Sequence, residues 1–123
     1  MDYNHFIGME SFEFLIWLDE NFPITIPQAI TTAEDMEMAA AQLLQLSSQY
    51  AYIAELASWF KVATRQTKRD GLKEDYEDMV DKRDAVDNKM KSIEQAYKGI
   101  SRAVTIRTEN NAELRMTGSK FIA

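Results

Sequence analysis

Cysteine is missing from the 123-residue sequence. Disulfides, thiolate nucleophiles and cysteine-ligated metals are excluded with it, and a reducing, cytoplasmic setting fits. Histidine occurs once, as His5, so one chain can assemble neither a His-dependent triad nor a multi-histidine metal site. The two prolines, Pro23 and Pro27, share one short stretch, which leaves the rest of the chain free for unusually long helices. Glycine is nearly as scarce. Gly71 and Gly99 stand alone, so there is no glycine-rich phosphate loop, and Ser101 lacks both a nearby base and an oxyanion-forming glycine.

Long hydrophobic runs are also lacking. The apolar run over residues 12–18 is interrupted by Glu13 and is far shorter than the roughly 20 residues that span a bilayer. The start, Met1-Asp2-Tyr3-Asn4, carries no basic region of the kind that opens a secretory signal. A soluble protein without membrane insertion is expected. Hydrophobic content of 46% beside 28% charged residues is that of a folded domain, and the length suits one domain, residues 1–123.

Positive charge is absent from the first half. Residues 1–60 hold nine acids and no Lys or Arg, whereas all fourteen bases lie from Lys61 onward beside eleven acids, giving −9 and +3. Such asymmetry suits either a solvated acidic face or association between unlike surfaces, within the fold or between subunits.

The order of the remaining residues predicts an all-α fold. A short helix over about residues 9–21 is apolar nearly all round, through Phe12, Phe14, Leu15, Ile16, Trp17 and Leu18. Residues 21–27, with both prolines, read as an extended connector. Thr31-Thr32-Ala33-Glu34 matches a capping box, with Glu34, Asp35 and Glu37 suited to the positive end of a helix dipole. A long helix is predicted over about 32–70, closed at Asp70-Gly71 by a glycine suited to positive φ. A second spans about 72–109, stopping at Asn110-Asn111, with 110–123 as a tail.

Apolar spacing organises the two long helices. Met36, Ala39, Leu43, Leu46, Tyr50, Ile53, Ala57, Phe60 and Thr64 alternate steps of three and four. Leu72, Tyr76, Met79, Arg83, Val86, Met90, Ile93, Tyr97, Ile100 and Val104 do the same. Sustained heptads of this kind mark a coiled-coil seam. Folding back at Gly71 pairs Phe60 with Met79, Ile53 with Val86, Tyr50 with Met90, Leu46 with Ile93 and Leu43 with Tyr97. The expected architecture is a long antiparallel helical hairpin with a short N-terminal helix, oligomerising into a bundle. Arg83 breaks the stripe opposite Ala57, either laying its stem over the alanine or standing as a buried polar group that fixes register or meets a partner.

A second apolar strip on the first long helix includes Ala40, Leu44, Ala51, Tyr52, Leu56, Trp59 and Ala63. The short helix, about 18 Å long, is too short to cover a strip of about 35 Å. Phe12, Trp17, Leu44, Tyr52, Leu56 and Trp59 are therefore the candidate interface residues, for a second copy of the chain or for another protein.

Carboxylates are the remaining catalytic resource. Glu34 and Glu37 form one E-x-x-E pair and Glu74 and Glu77 another, an arrangement that superficially resembles the metal-dependent all-α nucleotide pyrophosphohydrolases. The pairs fall near opposite ends of the hairpin, however. Asp78 with Lys82, Asp87 with Lys91, and Glu94 with Lys98 are acid-first i,i+4 pairs that read as a solvated face. No catalytic residue, metal ligand or cofactor is assigned.

Lys61, Arg65, Lys68, Arg69 and Lys73 gather at the hairpin tip, where they are candidates for phosphate contact with nucleic acid. Asp70, Glu74 and Asp75 dilute that charge, and no base-stacking module accompanies it. The acidic first half also suits a mimic of nucleic acid that blocks a nucleic-acid-binding protein. Tyr76-Glu77-Asp78-Met79-Val80-Asp81-Lys82-Arg83-Asp84-Ala85-Val86-Asp87-Asn88 and Gly99-Ile100-Ser101-Arg102-Ala103-Val104-Thr105-Ile106-Arg107 resemble small uncharacterised helical proteins of tailed bacteriophages and prophages. That resemblance implies a phage accessory protein in the host cytoplasm, an adaptor or inhibitor of a host protein or an aid to replication and recombination, with no catalytic residues to carry over. The protein that a nucleic-acid mimic blocks would then be one of host defence.

Overall fold

In a computed structural model the chain is all-α, and residues 3–24, 29–71 and 73–122 are described, with side chains as far as residue 112. A 3-10 turn, Asn4–Phe6, precedes three α-helices: α1 (Ser11–Asn21), α2 (Ala33–Asp70) and α3 (Lys73–Ile122). Part of the proline connector, Leu72 and Ala123 lie outside the described residues.

The start of α2 is a capping box, one residue later than the sequence pattern suggested. The Asp35 amide donates to Thr32 Oγ1 at 3.1 Å, and the Thr32 amide donates to Asp35 Oδ2 at 3.0 Å. Thr31 joins in, donating through its amide and its hydroxyl to the same carboxylate oxygen at 2.9 and 3.0 Å. Asp35 rather than Glu34 closes the box because Thr32 is the N-cap, which puts Asp35 at the third helical position. These hydrogen bonds, that of the Thr31 amide foremost, hold the Asp35 carboxyl below its ordinary pKa.

At the far end of α2, Gly71 is extended (φ −100°, ψ 174°), not left-handed. Its need for glycine is steric. A Cβ there would lie 2.7 Å from the Thr67 carbonyl oxygen and 2.9 Å from Thr67 Cγ2. The chain thus reverses against the last turn of α2, whose Thr67 carbonyl accepts from the Gly71 amide at 2.8 Å.

The two long helices pack as a hairpin along the heptad stripes. Leu46, Ile53, Ala57 and Phe60 of α2 and Met79, Val86, Ile93 and Ile100 of α3 are buried. Tyr50 and Tyr97 fall at the edge of the seam, partly exposed, where the Tyr50 hydroxyl donates to Glu94 at 2.9 Å. Glu94 thereby serves the seam, and that hydrogen bond raises the Tyr50 pKa. Arg83 is one-third exposed and reaches Asp84 at 3.4 Å, beside a seam in which Ala57 is buried.

Asn110-Asn111 does not end α3, which continues to Ile122. Asparagine costs at most ~0.7 kcal/mol of helix propensity per residue and, unlike proline, removes no backbone donor. Arg107 donates to the Thr31 carbonyl at 3.1 Å, marking the level at which α2 begins. The remaining turns of α3 run past that level.

The N-terminal segment lies along the hairpin as a strap. Tyr3, Phe6, Phe14, Leu18 and Phe22 are buried in one core with Leu56 and Phe60. Phe6 packs edge-on against Phe14 and Trp17, with ring centroids 5.4 and 4.6 Å away. Each large side chain withdrawn from water contributes roughly 1.5–3 kcal/mol. The 3-10 turn and Phe22 lengthen the cover beyond the reach of α1 alone, which is why the short helix does not bound what the strap can bury.

Candidate functional site

Local sequence builds the strap's anchor from one i,i+4 pair. Lys82 is 1% exposed, and its ammonium donates to the Phe6 carbonyl at 2.9 Å, the Met9 carbonyl at 2.5 Å and Asp78 Oδ2 at 2.7 Å. An ammonium has three donors, and all three are used. The other oxygen of Asp78 accepts from the Ser11 hydroxyl at 2.7 Å. Asp78 and Lys82 therefore form a part-buried clamp that ties the 3-10 turn and the start of α1 to α3, not a solvated pair. Burial pushes the Asp78 carboxyl upward, but the hydrogen bonds from Lys82 and Ser11 outweigh it and leave the pKa below the ordinary value. At the other end of α1, Lys89 donates to Asp19 at 2.7 Å. One acid of the first half, Asp19, thus meets a base of the second within the chain.

The clamp decides which candidate interface residues face outward. Leu56 is fully buried. Tyr52 is half-buried, with its ring 6.5 Å from Tyr3 and stacked 5.3 Å from Phe22. Trp59 is half-buried 5.8 Å from Tyr3, and Trp17 packs on Phe6, Phe14 and Phe22. Leu56, Tyr52 and Trp59 thus belong to the contact between strap and hairpin, and Trp17 packs within the strap. Burial raises the Tyr3 pKa, and the nearby Glu55 carboxylate adds to the effect.

Phe12 and Leu44 remain outside, 67% and 75% exposed. Phe12 is joined on the exposed surface of α1 by Ile16, 43% exposed, and by Leu15, 47% exposed and bordering a hollow with Ala85 and Asn88 of α3. Steps of three and four put the three residues on neighbouring surface of one helix. Glu10, Glu13 and Glu20 are exposed around them. Leu15 and Ile16 went unnoticed as surface residues because α1 is apolar on every side, so its own sequence does not say which side is covered.

At the tip, Lys61, Arg65, Lys68, Arg69 and Lys73 are all exposed. Lys68 stands 6.0 Å from the Tyr76 ring, and Lys73 lies 4.0 Å from Glu77. The open hollow between tip and strap is lined by Arg69 but also by Asp70, Asp75 and Asp78. A continuous basic face does not form there.

Among the described residues, no three acids or histidines come together in a way that could hold a metal ion. No helix of the described residues is long and apolar enough to cross a membrane. Comparison with protein-family models, with curated proteins and with solved structures gave no match.

Proposed function

We propose that the chain is a non-enzymatic protein-binding module that receives a partner protein on the outer face of α1. The exposure of Phe12, Leu15 and Ile16 on one short helix, itself clamped at both ends, carries this proposal. Folded proteins seldom leave large apolar side chains clustered in water unless something covers them. A pre-ordered helix also spares the partner much of the entropic cost of ordering a contact surface. The acidic rim favours a partner whose apolar side chains are flanked by Lys or Arg. In this reading the protein acts in the cytoplasm as an adaptor or inhibitor, the role that the likeness to phage accessory proteins implies.

The test is affinity capture from nuclease-treated lysate with the parent chain and with a Phe12→Ser, Ile16→Ser double variant. Both positions are exposed, so helicity and melting temperature should be retained. A protein held by the parent and lost from the variant supports the proposal. An unchanged set of bound proteins removes it.

A second reading, nucleic-acid binding, rests on the exposed, closely spaced Lys61, Arg65, Lys68 and Arg69. It ranks lower because acids line the same tip.

A further inference from the structure

The strap covers one side of α2 and α3 another, yet a third side of α2 is left bare. From Glu37 to Arg69 the positions at alternating steps of four and three (37, 41, 44, 48, 51, 55, 58, 62, 65 and 69) are all exposed. That is a second heptad track, facing away from the hairpin seam. Its two large apolar residues are Leu44 and Val62, 75% and 54% exposed. Residues 38–54 contain no charged side chain, although a helix face meant only for water usually carries several. Charge on the track lies at Glu37 near the start, at Glu55 just past the middle and at Arg65 and Arg69 near the finish, so the two ends carry opposite signs.

We infer that this face binds a second copy of the chain, α2 against α2 and antiparallel, to give a two-fold bundle of two hairpins. Charge complementarity selects the occupant and the direction. A parallel pair would set acid on acid and base on base, whereas an antiparallel pair brings each acidic start to the other copy's basic finish. One register stands out. Laying Leu44 on Val62 of the second copy also lays Val62 on its Leu44, as two-fold symmetry requires. The same register sets Glu37 opposite Arg69 and Gln45 opposite Lys61 in both halves. The axis then passes at the level of Ile53, where the exposed track residues are the small Ala51 and Glu55, each set opposite the other in the second copy. This dimer goes beyond the α1 proposal and does not depend on it, since Leu44 and Val62 belong to α2 and Phe12 and Ile16 to α1.

The absence of cysteine makes the geometry measurable, because one introduced thiol is the only labelling site. Sedimentation equilibrium should give twice the 14.2 kDa chain mass, and Leu44→Glu should weaken the dimer at least tenfold while leaving helicity unchanged. Phe12→Ser with Ile16→Ser should leave the dimer intact, which separates failure here from failure of the α1 proposal. Spin labels on Ala51→Cys should lie within about 20 Å of each other across the axis, and labels on Gln66→Cys about 40 Å apart, from the 1.5 Å rise per residue. Higher salt should weaken association by screening the end charges. A monomer at all concentrations overturns the inference. So does a dimer insensitive to Leu44→Glu, or one in which both label pairs give the same short distance.

Discussion

Lys82 and Phe6 lie 76 positions apart, and the ammonium of one donates to the main-chain carbonyl of the other at 2.9 Å. This contact, with its companions at Met9 and Asp78, makes an N-terminal segment of modest length part of the hairpin core. Removing the ammonium while keeping the stem isolates its role. Lys82→Met removes the ammonium from two carbonyls and a part-buried carboxylate, leaving Asp78 with the Ser11 hydroxyl and the Phe6 carbonyl with the Met9 amide, at a cost of about 3 kcal/mol. Amide hydrogen exchange is expected to accelerate over residues 3–22 far more than in the seam around Ile53 and Val86. Trp17 fluorescence should shift to the red as the strap loosens.

The clamp also has a defined pH response. Asp78 has a lowered pKa in the folded chain, so its contribution is fully present above the ordinary carboxylate pKa of about 4 and is lost as pH falls through the depressed value. Asp35, lowered by its Thr31 and Thr32 hydrogen bonds, acts in the same direction at the start of α2. Acid unfolding should therefore begin with the strap and the first turn of α2. In Asp78→Asn the pH dependence of strap exchange should flatten in that acid range, while the parent loses protection steeply there.

Gly71 provides a steric test of the hairpin turn. Gly71→Ala places a methyl group 2.7 Å from a backbone oxygen of Thr67, which cannot move without shifting the last turn of α2. A loss of roughly 1–3 kcal/mol is expected in urea unfolding. Gly8→Ala, where nothing lies within 4 Å of the added Cβ, should produce no comparable loss.

The tip bases can be tested separately from the apolar surface. Charge reversal at Arg65, Lys68 and Arg69 should leave capture through α1 unchanged if protein binding is the function. Salt-sensitive retention of DNA or RNA by the parent chain, abolished by that reversal, would bring the second reading forward instead.

The hairpin was legible because its signal is periodic. Ile53, Phe60, Val86 and Ile93 repeat at heptad steps, and short connections leave an antiparallel return as the economical way to bury them. The strap was not legible in the same way. Tyr3 and Phe6 are too few and too close to a terminus to establish a period, and Asp78–Lys82 has the spacing of any solvated helical pair. What buries Lys82 is a pair of main-chain carbonyls from another segment, which no side-chain pattern records. The capping box shows a smaller ambiguity of the same kind. Thr31 and Thr32 are each followed three residues later by an acid, and only the geometry distinguishes them. Of the candidate interface, Phe12 and Leu44 stayed outside while Leu56 went in, because exposure depends on where the strap lies, not on how apolar α2 is.

The central claim is that the outer face of α1 meets a partner protein, and a photo-crosslinking residue placed at Phe12 tests it most directly. The expected result is a defined adduct to a different protein from position 12, absent when the same residue replaces the exposed Lys91 on α3. Loss of that adduct on adding Ile16→Ser would tie it to the apolar surface. No adduct from position 12, or the same adducts from position 91, would contradict the claim.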